Sequence, residues 1–305
     1  MKKLSLLMVL CLTMSLFVAC GKSETTSTDA TVVTEDTTTT EETTEDVTAE
    51  ETTEDVTVEE TTDAETTEEA VTFTVGFDAA FPPYGYMDEN GDYVGFDLSL
   101  AEEVCARNGW TLVKRPIDWD SKDMELESGS IDCIWNGFTI NGREDSYTWS
   151  VPYVDNSQVV VVAEESGIST FADLAGKTLG VQKESSALSA LNNEEVAENI
   201  ALRDSLTTVI EYADYNTAFM DLEAGALEAV AMDIGVAAYQ IESRGGGYVM
   251  LEQNLASEQY GVGFKLGNTE LKDKVEATLM EMVNDGTFAA IAEEWGLSDA
   301  VCLGK

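Results

Sequence analysis

The chain has 305 residues, with 59 acidic side chains against 16 basic ones, no histidine and a formal net charge of −43. So acidic a protein excludes nucleic acid as a partner and disfavours direct docking on an anionic membrane surface. The spacings of the five cysteines match no zinc or CxxC pattern, so neither a metal nor another cofactor is expected.

Lys2 and Lys3 open the chain, followed by a nearly unbroken apolar run from Leu4 to Val18. That run is shorter than the roughly 20 residues a transmembrane helix needs, so residues 1–20 read as a targeting signal. Its end, Ala19-Cys20, resembles the cleavage site of a bacterial lipoprotein signal, with Phe17 standing where Leu is usual. The resemblance implies lipidation at Cys20 and a protein tethered outside the cytoplasm, at the cell surface or in the periplasm, since several acyl chains together hold a membrane stably.

Residues 21–70 contain 19 Thr, 18 Asp or Glu, a single Lys and no aromatic side chain. ETTEDVTAE (42–50) returns as ETTEDVTVE (51–59). A segment of this composition cannot bury enough apolar surface to offset the ordering of its backbone, so 21–71 is expected to be a disordered linker. Its self-repelling carboxylates suit a spacer that holds a folded body away from the membrane.

The remaining 235 residues, from Val71, keep a net charge of −28 and have the length for one large or two modest domains. Short strand-like runs alternate with helix-like ones, which predicts an α/β architecture. FTVGF is the first strand, DENGD (88–92) a turn, DLSLAEEVCAR (97–107) a helix closing near Gly109, and LVKRPI a second strand. MELESGSIDCIWNG (124–137) is echoed by MDLEAGALEAVAMD (220–233) at an offset of 96 residues. Each phrase reads as a helix stopped at a glycine, Gly129 or Gly225, followed by a strand. Two such strand ends facing one another would make a cleft, because open α/β sheets bind ligands outside the carboxyl ends of their strands. ALSALNNEEVAENI, after Ser185-Ser186, reads as one further helix. Cys133, in the apolar run IDCIW, is expected to be a buried small hydrophobe, and one disulfide between Cys105 and Cys302 stays open.

Several blocks then carry a specific resemblance: FDAAFPPYGYMDENGDYVGFDLSLAEEV, GSIDCIWNGFTINGRE, WSVPY, FADLAGKTLGVQKESSA, EAVAMDIGVAAYQI and YGVGFKLGNTELKDKV occur in this order over 73–298. They resemble the extracellular solute-binding proteins of amino-acid ABC transporters. The resemblance implies a two-lobed, type II periplasmic-binding-protein-like α/β fold with two crossing hinge strands near SQVVVVA and QYGVGF. Lobe one would combine 72–160 with 259–305, and lobe two would span 161–258.

A free amino acid is a zwitterion, so its site must satisfy a carboxylate and an ammonium within a few ångströms. The planar fork of an Arg suits the carboxylate. The resemblance assigns that part to Arg143, helped by Gly137, Thr139 and the pair Ser185-Ser186, and gives the ammonium to Asp233 with Asn136. Phe81 and Trp119 would sandwich the ligand's side chain, and Asp78 would favour a polar or cationic one. Two departures stand out: Thr139 to Arg143 is one residue shorter than is usual in the family, and Glu184 stands where Gly is frequent.

The function so implied is an extracytoplasmic, monomeric, lipid-anchored binding protein that passes a free amino acid to an ABC permease. The alternatives are an enzyme on the same fold, of the cyclohexadienyl dehydratase type, and a surface sensor or interaction protein. Lacking histidine, the chain has no side chain of ordinary pKa near neutrality, and its affinity is expected to vary little between about pH 6 and 8.

Overall fold

The computed structural model describes residues 71–305; the expected signal, Cys20 and nearly all of the expected linker lie outside these residues. From Val71 the alternation of apolar runs resolves into fourteen strands and eight α-helices among the described residues. The first half runs β1 (Thr72–Phe77), β2 (Ala80–Phe81), β3 (Gly85–Met87), β4 (Tyr93–Val94), α1 (Phe96–Asn108), β5 (Thr111–Pro116), α2 (Lys122–Ser128), β6 (Cys133–Ile134) and β7 (Thr148–Trp149). The long β8 (Val154–Ala163) leads into β9 (Thr178–Gln182), α3 (Ser186–Leu191), α4 (Ala197–Ser205), β10 (Thr208–Tyr212), α5 (Tyr215–Glu223), β11 (Ala229–Asp233), α6 (Ile234–Ser243) and β12 (Tyr248–Met250). The chain returns through β13 (Ala256–Tyr260) and β14 (Gly263–Phe264) and ends in α7 (Thr269–Asp285) and α8 (Thr287–Glu294).

Two sheets organise these elements. In one, the order is β5-β1-β6-β14-β7, with β1 parallel to β5 and β6, and β14 antiparallel to its neighbours. In the other, the order is β10-β9-β11-β8-β12, with β9 parallel to β10 and β11. β8 is antiparallel to β11 and β12 over its second part and to β13 over its first. Strands buried on both faces, such as the Val159–Val162 run of β8, read as unbroken apolar stretches rather than alternating ones.

The echoed phrases follow the same path in both sheets. α2 stops at Gly129 (φ 76°), and α5 is followed by Gly225 (φ 69°), each in the left-handed region that costs glycine nothing. The strands that follow, β6 and β11, each lie parallel beside a long strand, β1 and β9 respectively. α1 and β5 also fall where the sequence puts them. The segment after Ser185-Ser186 differs: it is two helices, α3 and α4, rather than one. Asn192 ends the first, and the Asn193 carboxamide accepts the Glu195 N–H, a local turn that competes with helix. Cys105, Cys133 and Cys302 are all free thiols, Cys133 fully buried as expected.

Candidate functional site

The carboxyl ends of β1, β6, β9 and β11 deliver the side chains singled out in the sequence. Phe81, Trp119, Gly137, Thr139 and Arg143 from one side, and Gln182, Ser185, Ser186 and Asp233 from the other, line one small cavity of about 10 Å³. A space of that size holds about one water, whereas small-molecule pockets run to roughly 300–1,000 Å³, so an amino acid enters only if the two walls part.

Arg143 reaches across. Asn141-Gly142 forms a tight turn in which the Arg143 N–H donates to the Ile140 carbonyl, with Gly142 at φ 80° in the position a type II turn reserves for glycine. The shortened loop therefore still aims the guanidinium inward. Nη1 donates to the Ser186 hydroxyl at 2.9 Å and to the Thr139 carbonyl at 3.2 Å, and Nη2 to the Glu184 carbonyl at 3.2 Å. The guanidinium carbon lies 5.3 Å from the centre of the Phe138 ring. The loop is fastened beneath by Asn141, whose side-chain oxygen accepts the Gln259 N–H at 2.8 Å, and by the Ile140 N–H, which donates to the Gln259 carbonyl at 2.9 Å.

Gly137 sits at φ 57°, and a Cβ there would lie 2.9 Å from Phe81 Cε1 and 3.0 Å from Tyr260 Cε2. Its N–H donates at 2.6 Å to the buried carboxylate of Asp97, a residue the sequence reading passed over. Burial pushes the Asp97 carboxyl up to about 7, against the lowering effect of that same Gly137 N–H. The Thr139 hydroxyl donates at 2.8 Å to Glu258.

Asp233 is the N-cap residue of α6, yet its side chain makes no capping bond. Its Oδ1 instead accepts from Asn156 (2.9 Å), Gln158 (2.6 Å) and the Tyr260 hydroxyl (2.6 Å). Burial raises its pKa, and the Glu258 carboxylate raises it further. Ser185 caps α3, accepting the Leu188 N–H at 3.1 Å. Glu184, just before it, holds φ 54°, a left-handed backbone that suits glycine far better than glutamate.

Asp78 and Asn136 stand behind the wall rather than in it. Asp78 Oδ2 accepts from Gln182 at 2.7 Å, joining the end of β1 to the end of β9, and its Oδ1 accepts the Ala80 N–H. Burial lifts its carboxyl to about 6. Asn136 spends its side-chain oxygen on the Asp78 N–H. Phe81 packs on Tyr84 and Tyr215, with ring centres 5.8 and 6.0 Å apart, while Trp119 meets Phe138 edge-on at 5.5 Å. Tyr84 and Trp135 belong to the core. Eight of the ten side chains named from the sequence therefore meet at one cavity. Gln182, Glu258, Tyr260, Asn156, Gln158 and Asp97 were missed. Gln182, Asp97 and Tyr260 lay inside recognised blocks, Gln182 close before the serine pair, but no local signal marked them.

Comparison with known proteins places the chain among amino-acid-binding proteins by sequence and fold. The L-cystine-binding protein TcyJ of Escherichia coli (strain K12) is 28% identical over 227 residues, covering 73% of this chain and 82% of the relative. A substrate-binding protein of an ABC uptake transporter from Streptococcus pneumoniae, crystallised with bound histidine, superposes with a TM-score of 0.71 at 33% identity, covering 75% of this chain and 94% of its own. The ancestral amino-acid-binding protein AncCDT-1, a precursor of cyclohexadienyl dehydratase, reaches a TM-score of 0.66 at 27% identity, covering 73% and 95%. The fold is thus the two-lobed type II periplasmic-binding fold. The profile of the bacterial extracellular solute-binding proteins, family 3, matches residues 73–298, and the chain belongs to that family.

Proposed function

We propose that this protein captures a free amino acid, polar or cationic in its side chain, between its two lobes and delivers it to an ABC permease. The observation that carries the reading is the presence of opposite charges on the walls of one cavity: Arg143 and Asp233 both line it, and Asp233 shares the donors Asn156 and Gln158 with Glu258. A cation and an anion on the walls of one cavity are the two partners a zwitterion needs. Arg143 would turn from Ser186 and Glu184 to the ligand's carboxylate, joined by Thr139, the Gly137 backbone, Ser185 and Ser186. Asp233 would take the ammonium with Asn136, whose side chain also fixes the Asp78 backbone. Phe81 and Trp119 would flank the side chain, and Asp78 would meet its polar end.

The bodies that part are lobe one (72–160 with 259–305) and lobe two (161–258). Ligand contacts on both lobes favour the closed form, since only differential affinity can shift that equilibrium. Residues 21–71 serve as a stalk from a lipid anchor at Cys20, and the protein works as a monomer. Among the described residues no helix is long and apolar enough to cross a membrane, which is compatible with attachment through the anchor.

A thermal-shift screen of the purified protein against the common amino acids, L-cystine and L-ornithine tests this reading. Stabilisation by one ligand class supports it, and none by any of them overturns it. The likeness to a dehydratase precursor keeps an enzymatic reading in view. Turnover of a carboxylated substrate by the purified protein would favour that alternative.

A further inference from the structure

Asp233 lines the cavity, and Glu258 stands next to it, bonded by the Thr139 hydroxyl of the cavity wall. Asp233 Oδ1 accepts from Asn156 Nδ2 and Gln158 Nε2 at 2.9 and 2.6 Å, and Glu258 Oε1 accepts from the same two nitrogens at 2.7 Å each. Two amide groups thus clasp two acid oxygens side by side. Asp233 is 4% and Glu258 7% exposed. The amide carbonyls of Asn156 and Gln158 are buried without partners, so both amides are turned by the demand of the acids for donors. Among the described residues, neither acid forms an ion pair with a Lys or Arg. Two buried carboxylates this close cannot both hold full charge at neutral pH unless a cation or a proton joins them.

We infer that Glu258 is the second carboxylate of the ammonium subsite, that the Asp233–Glu258 pair holds one proton, and that an incoming ligand's ammonium replaces it. The inference rests on the reading that Asp233 receives that ammonium. The charge balances: the pair with one proton carries −1, and the fully ionised pair with a bound ammonium also carries −1. The ligand keeps its own three N–H protons, and the displaced proton leaves to solvent. The other titratable groups facing the pair fit this exchange. Tyr260 from β13 donates its hydroxyl to Asp233, and Tyr84 from the β2–β3 turn and Tyr215 from α5 are phenols that burial keeps neutral. Arg143 lines the same cavity but spends its donors on Ser186, Glu184 and Thr139. Burial and the neighbouring Glu258 raise the Asp233 pKa, as a retained proton requires.

Calorimetry of the full chain with L-histidine, L-arginine and L-cystine as probes, at pH 6 in two buffers of different ionisation enthalpy, tests the exchange. For whichever probe binds, the observed enthalpy should differ between buffers by the equivalent of nearly one proton released. Affinity should tighten by up to about tenfold per pH unit from pH 5.5 to 7 and level off above that. In E258Q the slope should vanish, with binding weaker than wild type at pH 8 and the two converging near pH 5.5. Equal enthalpies in both buffers with a flat pH profile for a bound probe would overturn the inference while leaving amino-acid binding intact. No heat from any probe would instead bring down the reading of the site itself. The wild-type measurement decides the matter even where E258Q does not fold.

Discussion

Arg143 and Ser186 are bonded directly, Nη1 to Oγ at 2.9 Å, from a loop after β6 and the first turn of α3, elements that follow strands of the two different sheets. The same atoms are those proposed to hold a ligand's carboxylate, so on that proposal this bond gives way when the ligand arrives. Arg143→Ala should abolish amino-acid binding by calorimetry, a loss of at least 100-fold, because charge-assisted bidentate bonds are among the strongest. Arg143 is only half-buried, so melting should stay within about 2 °C of wild type, in keeping with the small effect of most surface changes. Near-normal affinity in this variant would rule out the carboxylate assignment.

The left-handed backbone of Glu184 offers a gain. Glu184→Gly removes a conformation that costs a non-glycine residue about 1 kcal/mol or more. The carbonyl that accepts from Arg143 is retained. Thermal unfolding should move up by about 2–4 °C, the usual response of a chain this size to such a change. An unchanged or lower midpoint would mean that the strain is absorbed elsewhere.

Gly137 and Asp97 form a backbone-to-acid brace that sets the start of the site loop. Asp97→Ala should leave the Gly137 N–H unpaired inside the core, at a cost of about 1–3 kcal/mol. Asp97→Asn keeps an acceptor oxygen and should cost less. Gly137→Ala should be worse for binding than for folding, since its Cβ would push on Phe81 and Tyr260 at the cavity wall. Paired melting curves and titrations of the three variants separate these effects.

Stability and affinity should respond oppositely to acid. Asp78 and Asp97, lifted by burial to about 6 and about 7, bind protons more tightly folded than unfolded. Their stabilising contribution is complete below about pH 4, the ordinary aspartate range, and fades as pH rises through 6 and 7. Unfolding midpoints should therefore rise by a few degrees between pH 7.5 and 5, in part also because the excess negative charge is relieved. Asp97→Asn should flatten the curve. A midpoint that falls steadily from pH 7.5 to 5 would contradict the assigned shifts.

The sequence carried the frame of the site well. Each strand that ends at the cavity announces itself by a short apolar run and a polar residue after it, as at Ile134-Trp135-Asn136 and Met232-Asp233. What it hid are contacts made by pairing at long range. Gln158 and Glu258 lie 100 residues apart and meet because β8 and β13 run antiparallel with Gln158 opposite Ala256. No local pattern marks Asn156, Gln158 or Glu258, which look like ordinary polar residues in the mixed polar stretches VDNSQ and ASEQY. Asp97 was hidden for a similar reason: in sequence it is the acidic first turn of a helix, and only the fold brings it to Gly137. The expectation of flat affinity between pH 6 and 8 rests on residue types alone, whereas burial raises Asp78, Asp97 and Asp233 toward neutrality, and the pH-dependent titrations described above decide between the two.

Trp149 donates its indole N–H to the Arg143 carbonyl at 3.0 Å, and its ring lies 4.8 Å from that of Phe138. The backbone of the residue proposed to clamp the ligand's carboxylate is thus bonded to a fluorophore. If the proposed capture moves this loop, the polarity around that indole should change with it, so intrinsic emission would follow ligand binding without a label.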